Sequence, residues 1–265
     1  MSKMNNAPIY YALSQVQYNP IAAMSKYADD IQDILRHQGY TLFEQQHVNR
    51  LEFSVGPGQP QENPEIKQTT NWLISRADKG SGFILGPSSL TYHTTHYEAN
   101  TEFIPAIIQG IRAVNEVVGL EHISRIGLRY LDAVIPSPGK MVDDYLVGGL
   151  QGVQLEAKRR YSMSESVFDT ELNATINQGT LISRIYRLTS QLGYPPDLSP
   201  QGLQPMQRFM ITNAISHAVI DTDHFVEGRL SVDLNQVSEL FSLLHAGIRQ
   251  VFEATTTDFA KAEWS

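Results

Sequence analysis

The chain lacks cysteine, carries few charges and has no long uninterrupted apolar run. Without cysteine it can form no disulfide, thiolate nucleophile or cysteine-ligated metal site, which fits a reducing compartment. The first seven residues are polar and do not resemble the apolar core of a signal peptide. Because no apolar stretch reaches membrane-spanning length, we expect a cytoplasmic protein without a membrane partner.

Acidic residues outnumber basic ones, which narrows the class of partner. The 28 Asp and Glu against 20 Lys and Arg give a formal net charge of -8. This balance disfavours sequence-blind binding to nucleic-acid backbones or anionic lipids, although a local basic stripe can exist within an acidic average. At 265 residues and 42% hydrophobic, the chain can bury the core of one large domain or two small ones.

The most informative segment runs from Arg125 to Tyr130, where the character of the residues alternates with a period of two. On a strand, such alternation separates two faces. One face carries Arg125, Gly127 and Arg129, and the other carries Ile126, Leu128 and Tyr130. The segment therefore predicts a strand with one apolar face and one cationic face.

The first half of the chain, residues 1–136, predicts a ferredoxin-like α+β unit. Its elements follow the order strand, helix, several antiparallel strands, helix and strand, which is the order of that fold with an expanded meander. The predicted strands are Pro8–Val16, Tyr40–Val55, Thr70–Arg76, Gly82–Leu85, Ser89–His96 and the Arg125 segment; the helices are Ile21–His37 and Asn100–Val118, and the loop is Gly56–Pro64.

The second half, residues 137–265, predicts antiparallel strands followed by a long C-terminal helix that closes the core. We expect it to pack with the first half as one compact α+β unit. A short helical piece, Asp143–Val153, precedes the β stretches Glu156–Leu172, Thr175–Leu188 and Pro205–Phe225, the loop Gly193–Pro200 and the helix Asp233–Glu253. Mixed alternation around Ile211 to Asp221 indicates a central strand covered on both faces.

Four features occur here in the same order as in a sporadically distributed, functionally uncharacterised family of bacterial proteins of about this length. They are the opening strand at Pro8, Trp72 followed by Ser75, the Arg125-to-Tyr130 segment, and Asp221-Thr222-Asp223 with Leu244-His245, Phe252-Glu253 and Thr257-Asp258. The chain resembles that family over nearly its whole length. The resemblance implies a single α+β architecture and bacterial origin, but no activity or cofactor. Where the family commonly has an asparagine-like residue, this chain has Asp132.

Candidate reacting groups are few. His93, His96 and Glu98 have the composition of a metal site, but residues three apart on a strand face opposite sides, so an exposed polar strand end is the alternative. Asp221, Asp223 and His224 could form an acid-base or divalent-metal site, or simply end a strand before Gly228. Within the apolar surroundings of His217 and His245, a buried imidazole with one hydrogen-bond partner is the simpler interpretation.

No phosphate-binding glycine loop, dinucleotide fingerprint or nucleophile-elbow pattern occurs in the chain. The sequence therefore predicts neither a metal nor a cofactor.

Arginines beside tyrosines form the other candidate site. If their strands are neighbours, guanidinium groups and rings on a shared face could hold a small anionic ligand or single-stranded nucleic acid. The predicted ligand-binding residues are Arg125, Arg129, Tyr130, Arg159, Arg160, Arg184 and Arg187. Alternatively, the arginines pair across strands with Asp132, Glu165, Asp169 and Glu171 and form a solvated row of ion pairs.

Two hypotheses of function follow. The first is a non-enzymatic binding or assembly module that offers an Arg/Tyr sheet face or a sheet edge to a partner protein, a second copy or an anionic ligand. The second is an enzyme acting on nucleotide or RNA phosphates through Asp221, Asp223 and His224, or through the histidines of the Tyr92-to-Tyr97 strand. The enzyme requires these groups to meet the arginines in one concave site.

Overall fold

The fold was examined in a computed structural model that describes residues 4, 6–52, 65–153, 155–157, 159–172 and 178–265. For residues 49–52 and 65–67 it describes the backbone alone. The predicted loop Gly56–Pro64, Lys158 and the start of the strand predicted from Thr175 lie outside these ranges.

The described residues contain nine strands and five α-helices. The strands are β1 (Ile9–Tyr18), β2 (Leu42–Glu52), β3 (Glu65–Ser75), β4 (Ser81–Leu85), β5 (Ser89–Thr94), β6 (Ile123–Val134), β7 (Tyr161–Thr170), β8 (Gly179–Ser190) and β9 (Ile215–Leu230). The helices are α1 (Met24–His37), α2 (Asn100–Val118), α3 (Val142–Tyr145), α4 (Leu234–Thr255) and α5 (Asp258–Trp264). The predicted mixture of helices and a large antiparallel sheet is confirmed.

All nine strands belong to one sheet, in the order β2-β3-β4-β5-β1-β6-β9-β8-β7. Every neighbouring pair is antiparallel. β6, from the first half of the chain, pairs along its length with β9, from the second half. The sheet is therefore continuous across the boundary between the predicted halves.

Helices α1, α2 and α4 cover one side of the sheet, the helix face, with α2 in contact with both α1 and α4. An apolar stripe makes α2 amphipathic, as its period of three and four residues predicts, and Gly119 ends it in a left-handed conformation with φ 72°. At Gly110 a Cβ would lie 2.4 Å from the ring of Phe83, so only glycine lets α2 approach the sheet this closely. No described helix combines the length and apolar character needed to cross a bilayer.

Residues 191–214, the covering loop, lie over the opposite side of the sheet. Tyr194, Leu198 and Phe209 from this loop pack against Tyr10 and Tyr11 of β1. The hydroxyl group of Tyr10 donates a hydrogen bond to the carbonyl oxygen of Gly193, at 2.8 Å. The loop thus buries the middle of this side of the sheet.

In the second half, one predicted strand was wrong in extent and one helix was missed. The strand predicted from Pro205 begins only at Ile215, because Pro205 lacks a backbone N–H and residues 207–209 form a single 3-10 turn that buries Phe209. The short helix α5 was not predicted at all. It is held by packing of Trp264 against Tyr145 and Phe252, a contact that no local pattern reveals.

Asp132 is a buried carboxyl in the middle of the sheet. Its Cα neighbours are Ile9 and Ile220, and one carboxylate oxygen, Oδ1, has no hydrogen-bond partner among the described residues. Burial raises the pKa of this carboxyl from its usual 3.8 to about 7. The sheet therefore favours the protonated form of Asp132.

We predict that Asp132→Asn stabilises the protein at neutral and alkaline pH. In the unfolded chain Asp132 loses its proton near pH 3.8, but in the folded chain only near pH 7, so its stabilising effect is fully present at low pH and is lost as pH rises through 7. A difference of this size corresponds to about 4 kcal/mol of unfolding free energy at high pH. Denaturant unfolding at several pH values measures it.

The gain from Asp132→Asn should be small at pH 4 and reach its maximum above pH 7. Asp30→Asn, an exposed carboxyl on α1, is the matched control and should change stability little at any pH. A gain that does not vary with pH would show that Asp132 ionises at its ordinary pKa in the folded protein.

Candidate functional site

Strand register brings three of the predicted arginines onto the side of the sheet opposite the helices. Arg125 and Arg129 of β6 lie two strands away from Arg184 of β8, and β9 runs between them with Asp221 and Asp223. Directly opposed residues of antiparallel strands share a face, so the pairs Arg129 with Asp223 and Arg184 with Asp221 all point the same way. We call this surface the arginine face.

Arg129 is clamped between two carboxylates. Its Nε and Nη2 donate to the two oxygens of Asp221, both at 2.7 Å, and its Nη1 and Nη2 donate to Asp197 at 2.5 and 3.2 Å. Asp221 is fully buried, whereas Asp197 comes from the covering loop and is partly exposed. These bonds engage four of the five guanidinium N–H groups, so Arg129 has little left for a ligand.

Electrostatics at this clamp favour full ionisation. Burial by itself lowers the pKa of Arg129, but the hydrogen bonds that it donates to Asp221 and Asp197 outweigh this effect and raise the pKa well above its usual value. The hydrogen bond from Arg129 also lowers the pKa of the Asp197 carboxyl. The clamp is therefore a charged structural unit at neutral pH.

The other two arginines of this face also contact acids. Arg184 donates from Nε to Glu165 of β7 at 2.5 Å, and its Nη1 lies 3.9 Å from Asp221. Arg125 lies over the ring of Phe225, 4.2 Å from its centroid. Its closest polar atoms are on Gln15 and Glu227 at 3.5 Å and on Asp223 at 3.8 Å, all long for hydrogen bonds.

Five carboxylates outnumber the three guanidinium groups, so the arginine face has no surplus of positive charge. The carboxylates belong to Glu165, Asp197, Asp221, Asp223 and Glu227. The predicted alternative of cross-strand ion pairs is confirmed for Glu165 with Arg184. Since the pairs are mostly made, this face offers little to a purely anionic ligand.

The remaining predicted ligand-binding residues do not join this surface. Tyr130 points to the helix face and donates a hydrogen bond to the hydroxyl group of Tyr97. Arg187 also lies on the helix side, because it is an odd number of residues from Arg184, and it pairs with Asp143. Arg159 donates to the carbonyl oxygen of Val153. Arg160 is exposed at the start of β7. The expectation of one shared Arg/Tyr face is therefore corrected to a face that holds three arginines.

The predicted acid-base group is split by the sheet. His224 directly follows Asp223 and lies on the helix side of the sheet, since successive residues of a strand face opposite sides. Its ring nitrogens lie 2.9 Å from the hydroxyl of Thr170 and 2.9 Å from the carbonyl oxygen of Leu244. His224 therefore cannot act together with the two carboxylates.

The two histidines predicted to share a metal-like site, His93 and His96, are also separated from each other. His93 is buried against Tyr11, whose hydroxyl lies 2.9 Å from Nδ1, and burial lowers the pKa of this imidazole to about 3. His96 lies beyond the end of β5 and is exposed. Burial also lowers the pKa of His217 and His245. In the described part of the chain, no group of three or more His, Asp or Glu side chains could hold a metal ion.

The edge strand β7 is a second candidate site. It pairs on one side with β8 over ten residues without a register shift, and nearly all of its residues are exposed. Nine large apolar side chains are exposed in the described chain, and six of them lie on β7 or just before it. The six are Val153, Leu155, Tyr161, Met163, Val167 and Phe168, with exposed fractions of 49 to 78%.

Edge strands usually carry features that prevent pairing with another chain, such as lysine, proline, a bulge or short length. β7 has none of these, because it is ten residues long, has a regular register and contains neither residue. The opposite edge strand, β2, is 11 residues long, has a regular register and also contains neither lysine nor proline. It differs from β7 in its side chains, since it carries the polar run Glu44, Gln45, Gln46 and His47 where β7 exposes four large apolar side chains. The two edges thus differ in the apolar surface that pairing would bury.

Sequence reasoning did not find Asp197 or the exposed edge. Asp197 lies in a proline-rich segment that was correctly predicted as a loop, but nothing local indicates that it reaches Arg129, 68 residues earlier. The edge position of β7 depends on strand order. Its lack of lysine and proline gives no signal, because every other strand except β3 also lacks both.

Comparison with known proteins gave no match among protein-family models, curated proteins or solved structures. The resemblance to the uncharacterised bacterial family stays a prediction. We therefore infer a function from the positions of side chains and strands in the structure.

We predict that Arg129→Met destabilises the protein by about 3–5 kcal/mol, because it leaves the buried Asp221 carboxylate without its main partner. Replacing both partners, as Arg129→Met with Asp221→Leu, should recover most of that loss. Arg184→Gln, which removes a more exposed pair, is the control and should cost less than about 1 kcal/mol. Denaturant unfolding measures all three; a double variant no more stable than Arg129→Met would contradict the clamp.

Proposed function

We propose that this protein is a non-enzymatic assembly module whose contact surface is the β7 edge and whose partner is a second copy of the chain. The observation that carries the proposal is the long, regular and unprotected edge of β7, with four large apolar side chains exposed on it. Pairing of this edge satisfies its outward N–H and C=O groups and removes apolar surface from water.

The charge pattern of β7 selects one register for pairing with a copy. In an antiparallel pair centred on Ser166, Glu165 lies opposite Val167 and Met163 lies opposite Asp169. A shift of the centre by one residue places Glu165 opposite itself or opposite Asp169, and like charges directly opposite destabilise a sheet. The centre at Ser166 also uses nearly the full length of the strand.

Closed two-fold pairing has a further advantage over pairing with an unrelated strand. Each edge covers the other, so both copies lose their exposed strand at once and no further copy can add. The distal edge, β2, presents polar side chains at Glu44 to His47, so its pairing would bury less apolar surface than pairing of β7.

The two earlier alternatives have weaker support. An anionic ligand on the arginine face would compete with carboxylates that already hold Arg129 and Arg184. An enzyme acting through Asp221, Asp223 and His224 would need groups that lie on both sides of the sheet. We therefore place function in the edge and not in the predicted catalytic group.

We also infer a ferredoxin-like arrangement in the first half and a closing role for the C-terminal helix. The neighbouring strands β4-β5-β1-β6 with α1 and α2 on one face support the first inference, with β2 and β3 as an inserted hairpin. Burial of Leu240, Phe241, Leu244 and Ile248 of α4 in the main core supports the second. A bacterial cytoplasmic location remains part of this proposal.

The absence of cysteine allows a clean test by cross-linking. With Ser166→Cys, the two introduced thiols lie directly opposite each other across the two-fold axis, within reach of a disulfide. We expect mild oxidation to convert most of this variant into a covalent dimer. Ser164→Cys is the matched control: its thiols would lie four residues apart along the paired strands and should cross-link poorly. Equal cross-linking of both variants would reject the register.

A charge substitution tests the same register without a cross-link. Val167→Glu places a second acid opposite Glu165 of the other copy and should weaken association at least tenfold, whereas Val167→Lys places a cation there and should preserve it. Sedimentation equilibrium gives both dissociation constants. A wild-type protein that stays monomeric at its highest soluble concentration would overturn the proposal. Binding of the β7 edge to a different protein would contradict the proposed partner.

A further inference from the structure

Between the arginine face and the covering loop lies a cleft of about 270 Å³. Its polar lining includes Arg125, Asp223, Gln15, Thr91 and Gln201. Its apolar lining includes Leu13, Ile84 and Leu198. The cleft is smaller than the pockets that hold drug-sized molecules, so its size fits a ligand of about ten heavy atoms.

Several polar groups in this cleft lack adequate partners. Among the described residues, Arg125 has no polar contact shorter than 3.5 Å, whereas the contacts of Arg129 on the same strand are 2.5 to 3.2 Å. The Asp223 carboxylate accepts no hydrogen bond from the described residues and has Arg125, at 3.8 Å, as its nearest cation. The Oε1 atom of Gln201 is buried without a hydrogen-bond partner.

Buried polar groups without partners are rare in folded proteins, because each one loses its hydration without compensation. Here the buried amide oxygen of Gln201 has no partner among the described residues, while Arg125 and Asp223, whose side chains are 18% and 17% exposed, line the same cavity with only long polar contacts. Burial also raises the pKa of the Asp223 carboxyl, and Arg125 offsets this only in part. A ligand that contacts all three groups would supply the missing hydrogen bonds.

Gly127 lets the guanidinium group of Arg125 lie against the floor of the cleft. A Cβ at this position would lie 3.0 Å from Nη1 of Arg125 and 3.2 Å from Cβ of Phe225. The Arg125-Gly127-Arg129 alternation therefore combines an arginine with only long polar contacts, a glycine that leaves room for its guanidinium group, and an arginine held by four hydrogen bonds.

We propose that this cleft binds a small zwitterion of the free α-amino acid type, with its carboxylate on Arg125 and its ammonium group on Asp223 and Gln201. A purely anionic ligand would meet the excess of carboxylates around this face, and a purely cationic one would meet Arg125. A zwitterion matches both charges at once. The apolar walls at Leu13, Ile84 and Leu198 fit an aliphatic side chain.

The test uses L-leucine as the probe, with isocaproate and isoamylamine as analogues that lack its ammonium or its carboxylate. Ligand-observed NMR titration of the full chain should detect L-leucine and show at least tenfold weaker binding of each analogue, because a buried charge is then left unpaired. The same titration with the remaining standard amino acids shows which ligand side chain the cleft binds most tightly.

Variants identify the site. Asp223→Asn and Arg125→Gln should each weaken L-leucine binding at least tenfold, and Gln201→Ala should weaken it less. Arg184→Gln, on the same face but outside the cleft, is the matched control and should leave binding unchanged. Unfolding curves show whether each variant is folded, and the analogue comparison uses wild-type protein alone.

The proposal fails if none of the standard amino acids gives a signal with the wild-type protein. It also fails if isocaproate binds as tightly as L-leucine, which would indicate a plain anion site. Unchanged binding by a folded Asp223→Asn variant would likewise exclude a role of that carboxylate in holding the ammonium group.

Discussion

The ion pair between Arg129 and Asp221 holds together parts of the chain that lie far apart in sequence. It joins β6 to β9, and hence the first half of the protein to the second, while Asp197 ties the covering loop to the same guanidinium group. A charge inside a sheet is tolerated only when its partners are in place. The geometry of the arginine face follows from this requirement, since β9 and the covering loop must both approach Arg129.

The same constraint separates structural groups from candidate functional ones. Arg129 makes four hydrogen bonds to two carboxylates, whereas Arg125, four residues earlier, makes no polar contact shorter than 3.5 Å with the described residues. An analogous contrast exists between the two edges of the sheet, since β2 carries the polar run Glu44 to His47 and β7 exposes four large apolar side chains. What the fold leaves unsatisfied, an open arginine and an open edge, is where we place binding.

Local periodicity predicted most individual elements, because it depends on residues close in sequence. The helix Asn100–Val118 was predicted with its observed bounds, since an apolar stripe and Gly119 define it without reference to distant residues. The two faces of β6 followed from alternation in the same way. Where an element depends on a distant contact, as α5 depends on Trp264 against Tyr145 and Phe252, periodicity gave no signal.

The sequence by itself determined the class of fold, the position of most strands and helices, and which side chains of β6 share a face. It could not determine strand order, because pairing between strands distant in the chain leaves no local pattern. Only the tertiary structure decided that β9 lies beside β6, that Asp197 reaches Arg129, and that β7 is an edge. These are properties of pairs of distant residues, and the chemistry of each site depends on such pairs.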